Sequence, residues 1–221
     1  MSSFLERGTN KLLSLTGVVL KILPHDACDG VVRATILLKT NSFDQRGEHD
    51  YVHQIDLYGG HASSAVKNVR QNDVVHVKGR PSLSLTGEYA TQLNIDGVSE
   101  LTVLVRHKKG DRIRSVITDR VIYLHALINR IDVTNNKAPK IYCKTYSFKK
   151  TSTGQVSVID SHVVFCNQNF LEIINKLEME DLVFITATPL VYRAKGSNAA
   201  SINCELRTIS VINRVKNKSR R

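Results

Sequence analysis

"HQIDLYGGHASSAVKNVRQNDVVHVKGRP", residues 53–81, reads as a strand, a short helix and a second strand. About a hundred residues later the chain reads "SHVVFCNQNFLEIINKLEMEDLVFITATP", residues 161–189. The two stretches share few letters, yet both carry Asp-aliphatic-Val followed by the same Pro. Adding 108 to a position in the first half lands on a similar residue in the second. Ile55 meets Val163, Leu57 meets Phe165, and Tyr58 meets Cys166. Val66 and Val69 meet Ile174 and Leu177, Asp73 meets Asp181, and Pro81 meets Pro189. Upstream, "LTGVVLKIL" from Leu15 meets "YLHALINRI" from Tyr123. Self-similarity at one offset implies two copies of one supersecondary unit. At about a hundred residues each, the copies are small domains.

Within each copy the hydrophobic period is mostly two, as in "VVRATILLK", "YVHQIDLY" and "VVHVKGR". "SFDQRGEHD" and "KKTSTGQ" have the composition of hairpin loops. One stretch per copy is helical. "HASSAVKNVRQND" places Ala65, Val66 and Val69 on a stripe, and "NFLEIINKLEMED" does so with Phe170, Ile173, Ile174 and Leu177. His61 and Asn169 stand where an N-cap belongs, Asn169 being the better cap. The order is strand, strand, strand, short helix, strand, strand. That is the layout of the OB-fold, a five-stranded Greek-key barrel. A single sandwich of many strands does not predict a helix at the same place in each half. The expected fold is all-β with two tandem OB barrels, over residues 12–105 and 117–213. Residues 1–11 form an N-terminal extension, 106–116 a basic linker and 214–221 a basic tail.

Lys and Arg number 31 against 20 Asp and Glu, giving +11 across 221 residues. Residues 1–110 carry 13 basic and 11 acidic side chains, whereas residues 111–221 carry 18 and 9. A polyanion is the expected partner, with the second half as the stronger electrostatic surface. No apolar run is long enough to span a bilayer, and no membrane partner is expected. Cys28, Cys143, Cys166 and Cys204 are widely spaced, without zinc or disulfide-framework spacing. These features suggest a reducing, cytoplasm-like compartment, with association with the nucleoid expected and organellar or viral origin left open. No cofactor, metal or catalytic site is expected. His49 and His53 are four apart, with His61 near, but in a hairpin and strand that spacing does not converge on a metal.

The first copy resembles bacterial and organellar single-stranded DNA-binding proteins. His53, Gln54, Ile55, Leu57, Tyr58, Gly59 and Gly79 sit on that family's pattern, "LSLTGVVLKI" looks like its first strand with Gly17 in place, and "GEYATQLNI" resembles its fifth strand led by Tyr89. Copy two is linked to the family through the internal repeat. The resemblance implies single-stranded DNA binding with little sequence preference, in replication, recombination or repair. It also implies assembly of four barrels, hence a homodimer here, and replication or repair proteins as partners. Three departures stand out. The chain has no Trp, and Val52 holds a third-strand position that is often Trp in the family. Asp56 puts a negative charge beside Tyr58. A basic tail replaces the acidic tip by which many bacterial members recruit enzymes.

A single strand binds where cations follow the phosphates and flat side chains stack on the bases. In "VVRATILLK", Val32, Ala34, Ile36 and Leu38 form the expected core face; Arg33 and Lys39 lie on the other. In "KIYCKTYSFKK", Ile141, Cys143 and Thr145 form the core face. Tyr142, Lys144, Tyr146, Phe148 and Lys150 form the outer one, beside Lys149. Tyr58 and Tyr89 are further stacking candidates, Lys78 and Arg80 phosphate contacts, and Tyr192, Arg193 and Lys195 a clamp loop. The inverted reading, with Tyr142, Tyr146 and Phe148 in the core, would bring Lys144 inward. An OB assembly module of a primosome-like complex, and an RNA-binding protein, are the alternatives.

Overall fold

The computed structural model describes residues 9–44, 47–83, 93–106, 118–134, 138–151, 154–193 and 200–214. They fall into two compact units, one of Leu12–Val121 with Arg193–Ala200, the other of Met1–Lys11, Ile122–Tyr192 and Ser201–Arg221. Each contains a closed five-stranded barrel, and the fold class is all-β. The first is built from β1 (Asn10–Cys28), β2 (Val31–Asp44), β3 (Gly47–Tyr58), α1 (Gly59–Asn68), β4 (Val74–Leu83) and β5 (Leu93–Val105). Its strands run β2-β3-β5-β4-β1, closed by a β2–β1 pairing, with β3 parallel to β5. The second is built from β6 (Asp119–Asp132), β7 (Lys140–Thr151), β8 (Gly154–Phe165), a 3₁₀ turn (Gln168–Phe170), α2 (Leu171–Ile174), β9 (Leu182–Arg193) and β10 (Ala200–Asn213). Its strands run β6-β7-β8-β10-β9, closed by β6–β9.

The period-two alternation becomes the core. Leu13, Leu15, Ile36, Leu38, Ile55, Leu57, Val75, Val77 and Ile95 are fully buried in the first barrel. Ile122, Leu124, Ile141, Val164, Val183, Ile185 and Cys204 are their counterparts in the second. Val32, expected in the core, is 41% exposed; it lies at the start of β2 beside the Asp29–Gly30 turn, one residue before β2 begins to pair with β3.

The repeat is real, but its offset is not uniform. Val19 pairs with Leu38 and Ile128 with Cys143, each just before a bulge in its first strand. Ile55 pairs in parallel with Ile95, and Val164 with Cys204. Strands one, three and five are therefore related by 109, so Leu15 meets Leu124, not Tyr123. In strand three, Leu57 meets Cys166 and Asp56 meets Phe165. From the end of the helix through strand four the offset is 108. Asn72 and Glu180 both have positive φ, and both donate their N–H to the first strand, at Val19 O and Ile128 O. The one-residue difference is absorbed where ten helical residues in copy one face a 3₁₀ turn and four helical residues in copy two.

That difference corrects the helix reading. Ala62 and Ala65 are the buried residues of α1, whereas Val66 is 44% exposed. In copy two Ile174 and Leu177 are buried and Ile173 is exposed. Neither expected N-cap serves. α1 starts at Gly59 behind Tyr58, with no side-chain cap, and Asn167 Oδ1 accepts the Asn169 N–H at 2.7 Å. Asn167 is a good cap because it remains extended while its side chain reaches the free amide.

Candidate nucleic-acid interface

Strands one to three of the first barrel leave a groove of about 740 Å³ on their outer face. Lys21, Leu23 and His25 come from β1, Arg33, Thr35 and Leu37 from β2, and Gln54, Asp56 and Tyr58 from β3. Cross-strand register places Arg33 opposite Tyr58, Thr35 opposite Asp56 and Leu37 opposite Gln54. A run of hydrogen bonds orders the floor. His25 Nε2 lies 2.8 Å from Thr35 Oγ1, which donates to Asp56 Oδ1 at 2.9 Å. That donation fixes the His25 proton on Nε2, which donates to the hydroxyl. Gln54 Nε2 donates to both carboxylate oxygens, at 3.0 and 3.2 Å. Tyr58 is 41% exposed, and its hydroxyl donates to Asp96 Oδ1 at 3.1 Å. Partial burial, then Asp96 and Asp56, push the phenol pKa up, against the pull of Arg33. The phenol stays neutral and presents its ring.

The corresponding face of the second barrel has a different chemistry. Ile141, Cys143 and Thr145 point inward and are buried. Tyr142 and Lys144 alternate with them on the outer side, half-buried. The Arg130 guanidinium carbon lies 4.1 Å from the Tyr142 ring centroid, and Lys140 Nζ lies 5.4 Å from that of Phe165. Lys140 is paired with Phe165 across β7 and β8, and Tyr142 with Val163. Two rings, each with a cation against it, thus stand on adjacent strands. Such contacts orient the ring and hold positive charge next to the place a base would stack. Phe165 is absent from the sequence-derived set, because a uniform offset of 108 equates it with core Leu57. The signal that finds it is the buried His162, which aligns with His53 at 109. The same slip makes Cys166 the counterpart of Tyr58; Cys166 is core, and Asn167 holds that place.

Those two histidines lie on the buried side of strand three, opposite to that face. His53 Nδ1 donates to Leu93 O at 2.5 Å, so its Nε2 accepts from Thr40 Oγ1 at 2.8 Å. Burial brings its pKa down to about 4, further lowered by Arg120 and partly offset by the Leu93 carbonyl. His162 Nε2 lies 2.9 Å from Thr145 Oγ1. Burial also brings its pKa down to about 4, with Lys11 lowering it and Asp160 raising it. Both rings are neutral structural elements. Among the described residues no group of three or more His, Cys, Asp or Glu could hold a metal ion.

The other expected contacts divide into several groups. Lys39 pairs with Asp50 at 2.8 Å, beside the groove. Lys78 pairs with Glu100 at 3.3 Å, and both Lys78 and Arg80 stand on β4, outside the strands that line the groove. Tyr146 is held by its backbone, its N–H donating to Thr9 Oγ1 at 2.7 Å. Thr118 repeats that role in the first unit, accepting from the Asn41 N–H at 3.0 Å. For Phe148, Lys149, Lys150, Tyr192 and Arg193 the description covers the backbone alone, and Tyr89 and Lys195 lie outside the described residues, as do 107–117 and 215–221. The first residues of the expected basic linker and tail have structural partners. Arg106 and Arg214 each reach a buried carboxylate, Asp73 at 3.9 Å and Asp181 at 3.7 Å. Each also donates to a backbone carbonyl, at Asn68 and Lys176.

No protein-family model matches the sequence, and neither does any curated protein sequence. Solved structures do match in fold. The wild-type single-stranded DNA binding protein from Thermus aquaticus superposes with a TM-score of 0.58 at 12% identity, over 95% of this chain and 96% of that one. A deletion mutant of the same Thermus aquaticus protein gives 0.58 at 11% identity, over 96% and 100%. The two-barrel architecture is therefore shared along essentially the whole length of both chains.

Proposed function

We propose that the chain binds single-stranded DNA, without a defined sequence motif, along the outer faces of strands one to three in each barrel. The observation that carries this reading is the Arg130–Tyr142 and Lys140–Phe165 pair of aromatic and cationic groups, on the strands that bind oligonucleotides in this fold. Lys21, Arg33 and Tyr58 offer the same combination in the first barrel. The net charge of +11 supports a polyanionic ligand. The role is non-catalytic, in replication, recombination or repair, with the chain acting as a homodimer that brings four barrels together.

Titration of labelled oligo(dT), oligo(U) and duplex DNA, each at low and at raised salt, tests the reading. The expected result is tight oligo(dT) binding that weakens steeply with salt through counterion release, and much weaker duplex binding. Equal affinity for duplex and single strand, or binding of neither, overturns it. Tighter oligo(U) binding moves the protein to RNA. A monomeric mass by light scattering at micromolar protein would remove the dimer while leaving the binding intact.

A further inference from the structure

In the second barrel the platform presents aromatic rings with cations. In the first barrel, at the place of Phe165, stands Asp56, and a carboxylate beside a phosphate path repels the ligand it is meant to hold. Asp56 is also held in a fixed orientation. Thr35 and Gln54 donate to Oδ1, and Gln54 again to Oδ2. Two carboxylate oxygens offer about four acceptor sites. Three donations leave acceptor capacity, and Asp56 lines the open groove. Gln54 gives its amide nitrogen to the carboxylate, so its Oε1 is directed away from it, as a second acceptor on the same floor. Both hydroxyls on the floor are already used, that of Thr35 on Asp56 and that of Tyr58 on Asp96, and so is one N–H of the Gln54 amide, on Asp56. The floor of the groove is therefore rich in acceptors, with one exposed ring at its end and Lys21 and Arg33 available for the phosphates.

We propose that this groove reads bases by their exocyclic amino groups, favouring cytosine, adenine and guanine over thymine through the Asp56 carboxylate and Gln54 Oε1. Cytosine presents an N4 amino donor where thymine presents the O4 acceptor. A base stacked on Tyr58 would turn that edge toward the floor. Thymine would set carbonyl oxygen against carboxylate, and the buried polar mismatch is what discriminates. The inference rests on the proposed single-stranded DNA binding and adds a base preference, seated in the first barrel alone.

The test compares oligo(dC) with oligo(dT) of equal length, two pyrimidines of similar stacking, on the full chain and on Asp56→Asn. The carboxamide keeps the shape but replaces one acceptor by a donor and removes the charge. Wild type is expected to bind oligo(dC) on the order of tenfold more tightly than oligo(dT). Asp56→Asn is expected to bring the two within about twofold, by weakening dC and strengthening dT. Equal wild-type affinities overturn the inference, with no variant required. A dC preference unchanged in Asp56→Asn also overturns it, since the preference then arises elsewhere. A variant that strengthens both oligomers alike reduces Asp56 to simple repulsion of phosphate and overturns it too. Failure of wild type to bind either oligomer removes the proposed function itself, and this inference with it.

Discussion

Phe165 occupies in the second barrel the place that Asp56 occupies in the first: each follows a core residue of strand three, and each is paired in parallel with strand five, Phe165 with Glu205 and Asp56 with Asp96. One position thus carries an aromatic ring in one copy and a hydrogen-bond acceptor in the other. Phe165→Ala should weaken oligo(dT) binding by about 1–3 kcal/mol and leave the dependence of log K on log salt almost unchanged, because no phosphate contact is lost. Titrations at several salt concentrations read both quantities. An unchanged affinity in a folded Phe165→Ala protein would place the strand elsewhere.

Arg130 and Lys140 should behave in the opposite sense. Each sits against a ring on the same face, and each would bring a full charge to the phosphates of a strand bound there. The double change to Ala should lower the salt slope by roughly 1–2 and weaken every sequence alike. If the slope stays fixed while affinity falls, the two cations serve only to hold the rings.

The architecture was legible in the sequence because alternation at period two and a recurring Asp-aliphatic-Val are direct consequences of a pleated, half-buried strand. The faces of β2 and β7 followed from where Arg33 and Lys144 stand among apolar neighbours. The one-residue slip between the copies was hidden, because a helix can shorten without leaving a mark in composition. A slip of one in strand three exchanges the two faces, which is why Phe165 and Cys166 changed places. Pairing over distance was equally hidden. Nothing in "RHKKGDRIRSV" or "RVKNKSRR" marks Arg106 or Arg214 as partners of buried carboxylates.

Acid should destabilise the protein well above the carboxylate range. His53 and His162 each have a folded pKa near 4 against an ordinary 6.5. The unfolded chain therefore binds more protons than the folded one between these values, and stability falls as pH drops from about 6.5 toward 4. It is fully present above 6.5. The loss at the acid end is on the order of 3 kcal/mol per histidine at most. Urea midpoints at pH 7.5, 6 and 5 should fall in that order. Equal midpoints at 7.5 and 5 would mean that neither ring is held neutral by burial.

Thiol chemistry should separate the four cysteines. Cys28 is exposed, while Cys143, Cys166 and Cys204 are buried in the second barrel. Burial raises the thiol pKa of Cys166 and Cys204 to about 12, and that of Cys143 further. The thiolate is the reactive form, so alkylation of the folded protein should stop at one adduct, at Cys28. Denaturant should bring the count to four. Rapid native modification of a second cysteine would show that the second barrel opens on the labelling timescale.

Arg214 should prove to be a stability residue more than a phosphate contact. It donates to Lys176 O at 2.8 Å and lies 3.7 Å from an Asp181 carboxylate that is only 2% exposed. The same carboxylate accepts the Glu178 N–H at 3.0 Å, and so fixes the turn that leads into β9. Arg106 repeats this arrangement on Asp73, which accepts the Arg70 N–H at 2.9 Å. Each arginine is about half exposed, so solvent screens the ion pair and the pair itself contributes little. The larger loss on truncation is the partner left behind, a buried carboxylate with one cation fewer. Arg214→Ala should therefore lower stability by about 1–2 kcal/mol, and Arg106→Ala by a similar amount. Neither should change the salt slope of binding by as much as one phosphate contact would. Because the two sites lie in separate compact units, the double variant should lose the sum of the single losses. A stability unchanged in Arg214→Ala, with a salt slope lowered by about one, would return Arg214 to the phosphate-binding surface.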